Sequence, residues 1–160
     1  MPSAHMFNAL KVMTFVLALG AVGGSAMAAI DAQDAVKARV DHFKTMGRAF
    51  KTIRDGMGNP ALDNKMIAAQ ATIIRDTSAG VVSWFPAGSG PSASVKSDAK
   101  PEVWSDAAGF AKAAQKLQTE SAKLVTVANA GDADAIRAQV RATGGTCKGC
   151  HDTYRVPDKD

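Results

Sequence analysis

The segment Thr146-Cys-Lys-Gly-Cys-His-Asp-Thr-Tyr-Arg155 holds the only two cysteines of a 160-residue chain, three positions apart and followed at once by a histidine. Four chemistries use such a set. A disulfide between Cys147 and Cys150 closes a very small loop, and cross-link stabilisation grows with loop length, so it adds little. A structural zinc ion wants four ligands, and beyond these three the chain offers only His42 and the N-terminal His5. A redox-active dithiol belongs beside a βαβ unit. The fourth chemistry is covalent. Cys-x-x-Cys-His is the attachment signature of haem c, in which each thiol adds to a vinyl group and the imidazole reaches the iron. On a helix, residues three and four apart share a face, so Cys147, Cys150 and His151 project to one side from consecutive turns. The thioethers pin one edge of the porphyrin, and His151 is then held under the metal with little further loss of freedom. The spacing predicts one covalent haem c, with Cys147 and Cys150 as thioether donors and His151 as axial iron ligand.

The elements that must carry this set read as helical throughout. Val36, Arg39, Phe43, Met46, Phe50 and Ile53 recur every three or four residues, with Lys37, Asp41, Lys44 and Arg48 opposite. This is one amphipathic helix over about 31–56, with Asp31 as its N-cap. A second helix fits about 63–79, capped by Asp63, with Met66, Ile67, Ala71, Ile73 and Ile74 as its apolar side and Gln70 interrupting it. Residues 80–101 are rich in Gly, Pro and Ser and read as a long loop. Loops of that length in compact domains are usually functional or disordered, and Trp84 and Phe85 mark the half that packs. A third helix over about 105–130 carries Phe110, Ala114, Leu117, Ser121, Leu124 and Ala128 in one stripe, with Ser105 as cap and Gly131 as its stop. Asp132 caps a fourth over about 133–156, with Ile136, Val140, Thr143, Cys147, Cys150, His151 and Tyr154 inward. Four amphipathic helices without strands predict an all-α, antiparallel up-down-up-down four-helix bundle. Aromatics are only 6% of the chain. So thin a core either packs very closely or surrounds an inserted body. Gly144-Gly145, costly inside a helix by ~1 kcal/mol each, are explained by close approach of a flat ring to the backbone.

The first 28 residues stand apart. They contain no acid and one basic residue, Lys11, followed by an apolar run from Val12 to Gly20 and the small-residue site Ala26-Met-Ala28. This is the order of a secretory leader cleaved after Ala28. The run is shorter than the ~20 residues of a membrane span. Export predicts a periplasmic protein with no stable membrane association after cleavage, and residues 29–160 as one domain. The whole chain carries 19 Lys and Arg against 15 Asp and Glu. That excess is too mild for nucleic acid, and no basic cluster with interleaved aromatics appears. It suits transient meetings with other proteins.

Three stretches together resemble the class II cytochromes c, and specifically the cytochrome c′ family: Asp34-Ala-Val-Lys-Ala-Arg39 through Phe43-Lys-Thr-Met46, Pro101-Glu-Val-Trp-Ser-Asp-Ala-Ala108, and Cys147 to Arg155. That family is a known up-down-up-down bundle. The resemblance implies that the first helix faces the haem across from His151 and that Arg39 meets a propionate. The residue after that arginine is often polar in the family; here it is Val40. Asp98 to Glu102 would sit near the haem edge, and Arg155 takes the place of the family's basic residue beside the proximal histidine. Trp84 and Phe85 read as core and cofactor contact at once.

The residue at Phe43's place separates the subfamilies. A methionine there resembles the six-coordinate cytochrome c-556 type, and an apolar residue the five-coordinate type. Phenylalanine has no lone pair to donate, so the resemblance implies five-coordinate iron with a blocked, apolar distal face. Such a face lacks a donor for bound dioxygen and favours nitric oxide and carbon monoxide. The expected function is a periplasmic haem protein that binds these gases and exchanges one electron with a small redox protein. The alternative is a six-coordinate electron carrier with Met46 as sixth ligand; His42 lies on the flank of the stripe. No nucleophile–base pair or paired carboxylate stands out, so no catalytic turnover is expected. The family resemblance also implies a homodimer through the first two helices.

Overall fold

A computed structural model of the chain describes residues 24–92 and 95–157. The leader expected over 1–28 lies outside the described residues up to position 23. Helix α1 spans Gly24–Gly56, α2 Asn64–Ser78, α3 Glu102–Ser105, α4 Ala107–Ala130 and α5 Ala133–Tyr154, with a 3-10 turn at Val81–Trp84. Among the described residues there is no strand, only an isolated bridge between Ala99 and Arg155. No described helix is long and apolar enough to cross a membrane.

The boundaries follow capping chemistry. The Asp63 side chain accepts from the Met66 N–H at 2.9 Å and starts α2. Asp132 accepts from the N–H groups of Asp134 and Ala135 and starts α5. Gly131, at φ +83°, ends α4 in the left-handed conformation that glycine adopts without strain. Two expected caps differ. Asp31 lies inside α1, because the alanine-rich run before it continues the helix. The cap of α4 is Asp106, not Ser105, which closes the separate single-turn α3; Asp106 accepts from the Gly109 N–H at 3.1 Å.

The four long helices pack in sequence order, α1 on α2, α2 on α4 and α4 on α5, while α1 and α5 meet only sparingly. The bundle is antiparallel. Asp106 at the start of α4 meets Tyr154 at the end of α5, and Glu120 further along α4 takes hydrogen bonds from Gln139 and Thr143. The α4 stripe is buried in full, as its spacing predicts, and Ile53, Ile67 and Ile136 are wholly buried beside it. Ile73 departs from expectation: it is 39% exposed, about 100° round α2 from its buried neighbour Ile74.

Candidate functional site

Between α1 and α5 lies a cavity of about 630 Å³, within the ~300–1,000 Å³ usual for cofactor sites. The helices part there because each presents large or charged side chains to the other. From α1 come Val36, Arg39, Val40 and Phe43; from the end of α5 come Cys150, His151 and Tyr154. Phe85, Val103 and Phe110 line it between the two helices, and residues 96–99 complete the wall. The other end of the gap is shut. A Cβ at Gly144 would stand 2.8 Å from the tip of the Phe50 ring, so the flat ring that this glycine admits is Phe50 of α1. Gly145 faces open space.

The wall between α1 and α5 is held at both edges. The Lys100 N–H donates to the Tyr154 carbonyl at 2.9 Å and the Val156 N–H to the Asp98 carbonyl at 2.7 Å, tying the loop to the end of α5. At the α1 edge Arg39 does the same work. Its Nη1 donates to Ser89 Oγ at 2.8 Å, and its Nη2 to the Ser89 carbonyl at 2.8 Å and to Ser97 Oγ at 2.6 Å. The guanidinium carbon lies 4.5 Å over the Phe85 ring. Arg39 is only 3% exposed, and burial lowers its pKa from the ordinary arginine value. These acceptors are all neutral. A buried cation is costly unless paired, and this one borders a cavity, a site that suits an anionic group.

Aromatic rings build the floor. Phe85 meets Phe110 edge-on at 5.0 Å, and Phe110 meets Tyr154 at 5.2 Å. The Tyr154 hydroxyl donates to Asp106 Oδ2 at 2.8 Å. Burial, then the Asp106 carboxylate, pushes its pKa up to about 12. Gly109 makes room for that bond, since a Cβ there would stand 2.5 Å from the hydroxyl. Trp104 Nε1 donates to the Phe85 carbonyl at 3.1 Å and holds that loop residue in place.

Cys147 and Cys150 are half-buried and not joined to each other. Cys147 Sγ donates to the Thr143 carbonyl at 3.7 Å. Burial raises both thiol pKa values, that of Cys150 to about 11 with Cys147 adding to the shift. Thiols raised in this way are poor thiolates for metal or redox chemistry. No group of three or more metal-ligating side chains converges among the described residues. A cavity of this size, a thiol and an imidazole from α5 on one rim with the second thiol one turn before them, and a buried cation on the other rim fit a haem carried on α5.

The sequence-predicted residues divide. Arg39, Phe43, Phe85, Cys150, His151 and Arg155 line the cavity. Cys147 packs against the core one turn before Cys150. Met46 is 7% exposed, belongs to the hydrophobic core and does not line the cavity. Trp84 stands behind the wall, edge-on to Phe43 at 5.3 Å and stacked on the exposed His42 at 4.5 Å. Glu102 is exposed in α3, away from the lining. Sequence reasoning missed Ser89, Ser97, Lys96 and Asp106. Only Asp106 carried a local signal, an acidic residue at a helix start.

Comparison with known proteins agrees with this reading. The family described as Cytochrome C' matches residues 34–155. The chain is 36% identical over 124 residues to cytochrome c′ of Alcaligenes xylosoxydans xylosoxydans, covering 77% of this chain and 94% of that one. It is 35% identical over 123 residues to cytochrome c′ of Rubrivivax gelatinosus, covering 76% and 94%. The crystal structure of the Rubrivivax protein superposes with a TM-score of 0.69 at 34% identity, over 78% of this chain and 96% of that one. A nitric oxide complex of an Alcaligenes xylosoxidans cytochrome c′ variant superposes at 0.71 with 34% identity, over 79% and 97%. With its haem c signature on the last helix of an antiparallel bundle, its cavity against the first helix, and these relatives along almost their whole length, the chain belongs to the cytochrome c′ family of covalent haem c proteins.

Proposed function

We propose that the protein is exported, loses its leader after Ala28, and works in the periplasm as a five-coordinate haem c protein that binds nitric oxide or carbon monoxide and passes single electrons. The observation that carries this is the α1 wall of the cavity. Opposite Cys150 and His151 stands Phe43, and among the described lining residues the only imidazole is His151 and the only sulfur Cys150. Cys147 and Cys150 would hold the haem as thioethers and His151 would ligate its iron. The haem supplies a reversible one-electron couple and an open coordination position. Arg39 would meet a propionate, Phe43 and Phe85 would present apolar rings to the iron from the α1 side, and Arg155 would stand beside His151.

Phe43 rests edge-on against Trp84 and tilted against Phe85, whose centroid lies 6.2 Å away. A small neutral diatomic enters only as this ring yields, and finds no hydrogen-bond donor from it. That selects for ligands that bind without one. The nitric oxide complex of the Alcaligenes relative supports the same choice here. We also read the protein as a homodimer through α1 and α2, to which the exposed Ile73 of α2 contributes apolar surface; light scattering of the pure protein measures this directly. No turnover chemistry is assigned to the site.

The ferric absorption spectrum followed by a nitric oxide titration tests the reading. High-spin bands and stoichiometric nitric oxide uptake are expected. Low-spin bands with a methionine–iron charge-transfer feature would overturn it in favour of a six-coordinate carrier.

A further inference from the structure

The cavity opens to solvent beside α1, and its mouth has a composition that the haem alone does not explain. Val36 and Val40, one turn apart on α1, line it, the latter 41% exposed. The exposed Lys44, one turn further along α1, the exposed Lys96 and the half-buried Arg155 line it too. A second, shallower concavity of about 340 Å³ continues the surface, sharing Val36 and Lys96 with the first and adding Lys37. With Arg39 beneath, five cations border the two hollows against a single carboxylate, Asp98. The two propionates of a haem still leave the balance positive. Lys44 approaches Asp41 only at 3.9 Å, with both side chains 64% exposed, so that pair is weak.

Apolar side chains bordered by charged ones are the anatomy of a protein contact. A rim of one sign selects partners of the other sign and accelerates encounter. Electron-transfer complexes are small and short-lived, which suits a rim of a few lysines rather than a large basic face. Resting on the electron-transfer reading above, we propose that this mouth is the docking surface for a small redox protein whose own contact face is rich in carboxylates. One electron crosses there, from the ferrous haem to an oxidised partner or from a reduced partner to the ferric haem. Val36 and Val40 supply the dry contact, and Lys37, Lys44 and Lys96 the attraction.

The test uses the intact haem protein, reduced and mixed in stopped flow with two one-electron oxidants of opposite charge, hexacyanoferrate(III) and tris(phenanthroline)cobalt(III). Raising ionic strength from ~0.01 M to ~1 M contracts the screening length from about 30 Å to about 3 Å. The anionic oxidant is then expected to slow by about tenfold or more and the cationic one to speed up. Lys37→Glu/Lys96→Glu should slow the anionic oxidant by a similar factor at low salt and reverse the preference. Lys65→Glu/Lys116→Glu changes net charge equally on other faces and should alter it far less. Poly-L-glutamate, a carboxylate-rich polypeptide without a redox centre, should inhibit the anionic oxidant with the native rim and not with the reversed one. Equal losses in both double variants, or no change in the oxidant preference with Lys37→Glu/Lys96→Glu, would overturn the docking surface while leaving electron transfer intact. Failure of either oxidant to take an electron would overturn both.

Discussion

The two ends of this bundle are made from the same helices and solve different problems. At the closed end, Ile53, Ile67, Ile74, Leu124 and Ile136 are at most 2% exposed, and Phe50 fills the space over Gly144. The chain satisfies itself there. At the open end, α1 and α5 carry Arg39, Phe43, Cys150 and His151 into a hollow, and a buried guanidinium waits on neutral acceptors. That end is complete only with an anionic, flat, apolar guest. The contrast teaches that aliphatic residues at helical spacing, with one aromatic ring over a glycine, close a bundle, whereas a buried cation and a histidine at the same spacing leave room for a guest.

Changes on either side should therefore be separable. The largest effect is expected from Cys147→Ala/Cys150→Ala, which removes both thioether donors. The denatured protein should lose its covalent haem mass completely, while circular dichroism keeps much of the helical signal contributed by the closed end. Loss of all helicity would show that the closed end does not stand alone. Next in size, Leu124→Ala at the closed end should cost ~2–5 kcal/mol in denaturant unfolding and leave the ferric spectrum of the folded protein unchanged. A spectral shift would mean that the two ends are coupled.

Much of this was legible because it is periodic or local. The α4 stripe from Phe110 to Ala128 is buried as its spacing predicts, and Cys-x-x-Cys-His names its chemistry through spacing on one helix. What was not legible lies far apart in the chain. Arg39 finds Ser89 and Ser97 fifty or more positions away, in a Gly-, Pro- and Ser-rich loop with no period to read. Ile73 reads as core from its type alone, yet the turn of α2 carries it outward. The glycines of α5 signalled close approach correctly at Gly144, but the approaching ring belongs to Phe50. A contact partner is fixed by tertiary packing, and the helix that bears the glycine holds no record of it.

The floor of the open end is tied to the start of α4 by Tyr154, the only tyrosine in the chain, so its titration can be followed without ambiguity. Its pKa is raised from 10.0 to about 12 by burial and by Asp106, which means the folded state favours the neutral phenol. The associated stability is present in full below pH 10, the ordinary tyrosine value, and is lost as pH rises toward about 12. Thermal unfolding of the native protein should weaken over that window, with tyrosinate absorbance appearing only at its upper end. Tyr154→Phe should lose the part of the alkaline limb that tracks tyrosinate formation. A titration centred near 10 would place the hydroxyl in water and detach the cavity floor from α4.

The finest discrimination comes from neighbouring glycines. Both lie in the interior of α5, where replacing glycine by alanine favours the helix by ~1 kcal/mol. At Gly145 a Cβ meets nothing within 4 Å, so Gly145→Ala should stabilise by about that amount. At Gly144 the same Cβ stands 2.8 Å from the tip of Phe50, and overpacking of this kind costs roughly 1–3 kcal/mol. Gly144→Ala should therefore come out neutral to destabilising, and Gly144→Ala combined with Phe50→Leu should recover part of the helix gain. Denaturant midpoints of the three variants against the native haem protein measure all of this. If Gly145→Ala is the damaging change, the haem and not Phe50 is the ring pressed against this turn, and the boundary between the closed and open ends moves one turn toward the N-terminus of α5.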